Sequence, residues 1–171
     1  MGKIWDKGNS IDKKIEEFTV GDDYIIDQEL VQYDCEASIA HAKMLKKIGI
    51  LSANEEKQLI EELQKIAQEH KERKFTISIE DEDCHTAIEN RLIKSLGDSG
   101  SKIHTGRSRN DQVLVALRLY YKSSLSEISS MINQCIEHLQ KFGDNNNFDF
   151  PGYTHMQKAM PSNIKIWSNA F

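Results

Sequence analysis

Residues 111–142 read DQVLVALRLYYKSSLSEISSMINQCIEHLQKF, and this stretch decides the fold. Leu114, Leu117, Tyr121, Leu125, Ile128, Ile132, Cys135, Leu139 and Phe142 advance in steps of three or four. That is a heptad-like seam sustained for about four heptads. No glycine or proline interrupts it. At about 1.5 Å per residue the helix would be on the order of 48 Å long. The chain ahead of it cannot bury a seam of that length. Other long helices must do so, from later in the chain or from other subunits. The expected fold class is therefore all-α. A small N-terminal helical domain (1–110) should precede the first long helices of a central bundle (111–171, incomplete).

Moving outward, residues 98–112 (DSGSKIHTGRSRNDQ) read as a loop rich in Gly, Ser and cations. Thr86 to Leu96 reads as a helix ended by Gly97. Phe75 to Ile79 (FTISI) alternates but has no visible partner strand, so it is expected to be an extended connector. Ser52 and Glu55 make an S-x-x-E capping box before a helix with a narrow stripe of Leu59, Leu63 and Ile66. Ile26 to Ile48 reads as another helix, its stripe formed by Ile26, Leu30, Tyr33, Ala37, Ala40, Met44 and Ile48. Residues 1–24 look irregular. On the far side, Gly143 to Asn147 reads as a turn and Phe148 to Gln157 as a loop. A new helix is expected near Pro161, still running at Phe171, so the chain reads as truncated.

Composition narrows the function classes. The chain has 171 residues, 39% hydrophobic and 29% charged, which excludes a disordered chain. Its net charge of −5 argues against nucleic-acid binding, which needs a broad basic face. No run approaches the roughly 18–20 apolar residues of a membrane span. The N-terminus MGKIWDKGNS has no apolar signal region. The three cysteines, Cys35, Cys84 and Cys135, are widely spaced. They are expected to be reduced, buried thiols in a cytoplasmic protein.

Three polar stretches exceed what solubility requires. Glu82-Asp83-Cys84-His85 precedes a helix. It is either a favourable acidic helix start or a carboxylate and an imidazole lining a pocket. His104 to Gln112 (HTGRSRNDQ) gathers two arginines, two hydroxyls and two amides around a glycine, at the mouth of the longest helix. Helix N-termini favour anions, and arginine adds bidentate carboxylate recognition. In an acidic protein this reads as a small-anion site, the alternative being a solvated loop capped by Ser108 or Asp111. Pro151 to Gln157 (PGYTHMQ) offers Thr154 as a donor and His155 as a proton carrier near neutral pH. Metal-ligand spacings and nucleotide-binding glycine loops are both missing from the sequence. The preferred reading is a polyanionic small substrate handled by acid–base groups, with no cofactor and no metal.

HTGRSRNDQ (104–112), DEDCHTAIENRL (81–92) and PGYTHMQ (151–157) together resemble the argininosuccinate lyase family of the aspartase/fumarase superfamily. FTVGDDYIID (18–27) and YDCEASIAHAKML (33–45) are similar to one branch of it. The resemblance implies cleavage of argininosuccinate to arginine and fumarate. A base takes a proton beside a succinyl carboxylate, the carbanion spreads into that carboxylate, and an acid protonates the departing guanidino nitrogen. It further implies that Ser108, Arg109, Asn110 and Thr154 hold substrate carboxylates and that His155 takes part in proton transfer. Asp83 and His85 would line the site and orient neighbours, and Asp27 would match an acidic residue at the arginine end. Two departures stand out: Trp5 to Asn9 replaces the family's W-G-G-R-F, and Met160 replaces a glutamine.

The family site also uses a third region, a G-S-S-x-M-P-x-K-x-N loop carrying the serine usually assigned as base, and three subunits of a homotetramer. That loop is not in this sequence. The expectation is an N-terminal fragment with two of three site regions and no turnover on its own. Two other readings remain open. One is a sister lyase acting on adenylosuccinate or aspartate, against which the R-S-R-N-D-Q stretch speaks. The other is a non-catalytic helical oligomerisation protein.

Overall fold

The computed structural model describes residues 12–171, which form two compact units, one reaching to Tyr121 and one from Lys122 to Phe171. The expected helical architecture is present. In chain order come α1 (Lys13–Val20), α2 (Asp23–Ile26), a 3-10 turn (Asp27–Leu30), α3 (Val31–Lys47), α4 (Ala53–Lys71) and α5 (Cys84–Leu96). Then follow α6 (Asp98–Ser101), a second 3-10 turn (Lys102–His104), α7 (Arg109–Asn145), a hairpin of β1 (Asp149–Thr154) and β2 (Gln157–Asn163), and α8 (Ile164–Ser168). No described helix is long and apolar enough to cross a membrane. Trp5 to Asn9 lies outside the described residues. Within them, the stretch expected to be irregular is helical over Lys13–Val20 and Asp23–Ile26.

The core of the first unit lies between α3, α4 and α5. Leu59, Leu63 and Ile66 of α4 are fully buried, as their spacing predicts. They meet Val31, Cys35, Ala42 and Leu45 of α3 and Ala87, Ile88 and Leu92 of α5. Each such large side chain contributes about 1.5–3 kcal/mol by leaving water. The capping box forms: Glu55 N–H donates to Ser52 Oγ at 3.2 Å and Ser52 N–H to Glu55 Oε2 at 2.8 Å. Arg91 of α5 ties to α4 through Glu62 at 2.9 Å and Glu69 at 3.1 Å.

The buried stripe of α3 is rotated from the expected one. Asp34 and Ser38 are on the inward face with Val31, Cys35, Ala42 and Leu45, while Met44 and Ile48 are exposed. Apolar periodicity misjudged this helix because its inward face holds two polar residues with partners inside the protein. Among the thiols, Cys35 and Cys84 are buried but Cys135 is exposed.

In the second unit, residues expected to be a loop form an antiparallel hairpin. Pro151 and Pro161 argue against strands in sequence, but a two-stranded ribbon has only edges, where a missing N–H is tolerated. The register shifts between Phe150, opposite Ser162, and Gly152, opposite Ala159. A Cβ on Gly152 would lie 2.4 Å from the Met160 carbonyl oxygen, so this crossing requires glycine. The helix begins at Ile164 rather than near Pro161, because Asn163 caps it by accepting from Lys165 N–H at 2.8 Å. Gly143 is not a turn residue: α7 continues through it. A Cβ there would meet Ser168 Oγ of α8 at 2.0 Å, so the helix runs on with the small residue the packing needs.

Candidate active site

The N-terminus of α5 and the segment entering α7 build one polar cluster in the first unit. Asp83 caps α5, accepting from Thr86 N–H at 2.7 Å. His85, in the first turn, is 1% exposed with Nδ1 3.3 Å from Asp34 Oδ2, and Asp34 is fully buried. Ser38 Oγ donates to Asp34 Oδ1 at 3.4 Å, and Arg107 Nη2 donates to Ser38 Oγ at 3.1 Å. A buried chain thus runs from Arg107 through Ser38 and Asp34 to His85. Burial pushes the Arg107 guanidinium below its usual value, and the charges of Asp34 and Glu89 pull it back up. His41 Nε2–H donates to the Thr105 carbonyl at 2.9 Å, which pins the loop ahead of α7. Burial lowers the His41 pKa.

Ser108 opens α7 in a reciprocal cap. Its N–H donates to Asp111 Oδ2 at 2.8 Å and its hydroxyl accepts from Asp111 N–H at 3.4 Å. The capped-loop reading therefore holds for Ser108, whose side chain remains exposed, as does that of Asn110. Arg109 is half-buried. Its Nη1 donates to Gln112 Oε1 at 3.1 Å and its Nη2 to Thr86 Oγ1 at 3.2 Å. Its Nε lies 3.9 Å from Asp83 Oδ2. The helix dipole and a held guanidinium thus meet at one short segment, an arrangement suited to a carboxylate.

Asp83, His85, Ser108, Arg109 and Asn110 all belong to the first unit. Thr154 and His155 belong to the second, at the tip of the hairpin. Thr154 pairs with Gln157 across a two-residue turn in which His155 has φ 50° and Met156 φ 66°. Both angles lie in the left-handed region, as a type I′ turn requires. Non-glycine residues there are under strain, a condition that concentrates at functional loops.

Asp27, Cys84 and His85 are the described residues that could gather round a cation, one donor atom from each lying within 4.8 Å of the others. Burial, with Asp34, Asp27 and Asp83 nearby, pushes the Cys84 thiol far above its usual range. Burial also raises Asp27, although the Cys84 N–H at 3.3 Å opposes this.

A family model described as lyase matches residues 7–171. The chain belongs to this lyase family. It is 48% identical to an argininosuccinate lyase of Thermotoga neapolitana, over 98% of this chain and 42% of that protein. It is 43% identical to one from Xylella fastidiosa (strain Temecula1), over 96% of this chain and 37% of the relative. A third, from Sorangium cellulosum, is 40% identical over 99% of this chain and 40% of its own length. The chain thus spans about two fifths of the length of these curated relatives.

Within this chain, sequence reasoning missed Asp34, Ser38, Thr86, Glu89 and Gln112 as parts of the polar cluster. One signal was present: Asp34 and Ser38 are four apart in a helix otherwise rich in small and apolar residues. A polar pair at that spacing on an inward face calls for an internal partner.

Proposed function

We propose that this chain is part of an argininosuccinate lyase of arginine biosynthesis, releasing arginine and fumarate by elimination. Ser108, Arg109 and Asn110 at the mouth of α7 bind succinyl carboxylates, and Thr154 binds another. His155 moves a proton at the reacting centre, directly or through water. Asp83 and His85 act behind them, as their contacts with Thr86, Arg109 and Asp34 support. The barrier lies in an intermediate with two negative charges on one carboxylate, so donors held in place before reaction contribute most. The chemistry calls on the chain's own acid–base groups, and no cofactor or metal is assigned. The observation that carries this reading is the Arg109 guanidinium, held by Thr86 and Gln112 beside exposed Ser108 and Asn110.

The working form in this reading is a cytoplasmic homotetramer. The seam of α7 supports it: Leu125 is 65% exposed, and Ile132 and Phe142 are 54% exposed. Such a row needs covering helices. Nucleic acid is not a partner in this reading.

The test is a fumarate-absorbance assay with argininosuccinate and adenylosuccinate, on a version extended by the family's serine-loop region and on the 171-residue chain. The extended protein should prefer argininosuccinate. Arg109→Met should lower kcat/KM about ten- to hundredfold, the loss of one charged hydrogen-bonding partner. The 171-residue chain should show no turnover. Preferential cleavage of adenylosuccinate, or turnover that ignores Arg109, would overturn the assignment.

A further inference from the structure

Glu89 is a carboxylate with no part in the function proposed above. Its side chain is 9% exposed, and a buried acid needs partners. It has two. His104 Nδ1–H donates to Glu89 Oε1 at 2.9 Å, and Arg109 Nη1 lies 3.5 Å from the same oxygen.

The arrangement has a helical origin. Asp83, Thr86 and Glu89 are three residues apart along the start of α5. That spacing puts neighbouring side chains on one face. Each presents an oxygen to the same guanidinium: Thr86 Oγ1 to Nη2, Glu89 Oε1 to Nη1 and Asp83 Oδ2 towards Nε. Gln112, one turn along α7, also accepts from Nη1. A guanidinium is a planar fork, and it grips a carboxylate with two parallel bonds only when its plane is right. An arginine held at the rear by a helix face has lost its rotamer freedom before a ligand arrives.

We propose that Glu89 is a positioning residue that locks the plane of the Arg109 guanidinium for dicarboxylate recognition, with His104 holding Glu89 in turn. What Arg109 is locked to receive rests on the function proposed above, but the lock itself does not.

The test uses the 15N-labelled 171-residue chain, with Arg109 side-chain signals assigned by Arg109→Lys, and succinate as the probe. In the parent chain the Nη signals of Arg109 should be separate and slow to exchange. Glu89→Gln keeps the shape and removes the charge. It should merge those signals and weaken succinate binding about three- to tenfold, the cost of ordering one long side chain on binding. Helix content by circular dichroism should be unchanged. Separate signals in Glu89→Gln would overturn the proposal. So would tighter succinate binding, the result expected if Glu89 only adds a negative charge near the anion. If Glu89→Gln loses its helix content, Glu89→Asp is read by the same signals. It keeps the charge for His104 but draws the carboxylate back from Arg109, so merged signals support the lock and separate ones refute it. If the parent chain shows locked signals that Glu89→Gln releases, yet binds no succinate, the dicarboxylate reading fails and the lock stands.

Discussion

Asp34→Ala should be among the most damaging single changes in the first unit. The carboxylate is fully buried, 3.4 Å from Ser38 Oγ and 3.3 Å from His85 Nδ1. Ser38 in turn accepts from Arg107, whose Nε is buried without a hydrogen-bond partner. Alanine would remove the largest of the nearby negative charges that offset the burial of that guanidinium, leaving those of Glu89 and Asp111. Breaking a buried pair from one side costs about 3–5 kcal/mol. A domain of this size has only about 5–15 kcal/mol in total. Asp34→Asn keeps an oxygen for Ser38 and should fall between alanine and the parent. Urea unfolding followed by far-UV circular dichroism would measure this, with an unchanged slope confirming that only stability moved. Combining Asp34→Leu with Arg107→Met should recover part of the loss, since the buried cation then goes with one of the anions that offset it. An Asp34→Ala shift below about 1 kcal/mol would refute the claim that this carboxylate compensates a buried cation.

Three further outcomes follow from single contacts. Ser52→Ala removes the acceptor of the α4 capping box and should cost about 1 kcal/mol, read as a lower Tm. Gly152→Ala forces a methyl onto the Met160 carbonyl; amide signals of residues 149–163 should move while those of Leu59 and Leu63 stay, and an unperturbed hairpin would contradict the register described. Acid should destabilise the chain in a defined window. The Lys102 ammonium, 2.5 Å from Glu55, lowers that carboxyl from 4.5 to about 2. A depressed folded value adds stability above the ordinary one, and that stability is lost as pH falls from about 4.5 through 2. Lys102→Met should flatten the stability–pH curve in this range, and an identical curve would show that the bridge contributes nothing.

Much of this protein was legible along the chain because the information is local. A 3- and 4-residue period makes a helix whatever covers it, which is why α4 and α7 were readable. S-x-x-E makes its own cap, so Ser52 and Glu55 formed as expected. In R-S-R-N-D-Q, Ser108 and Asp111 likewise cap the start of α7, because the two residues are adjacent in the same turn. The tertiary structure decided the rest, because contacts between distant residues leave little local trace. It turned α3 so that Asp34 and Ser38 face inward to Arg107, a partner 69 residues from Ser38. It built the hairpin of β1 and β2 despite two prolines, since pairing across the ribbon outweighs the strand preference of either piece. It also assembled the grip on Arg109, which exists only once α5 packs beside the start of α7. Periodicity can say that a residue is buried or bare, but it cannot say which charge awaits it inside.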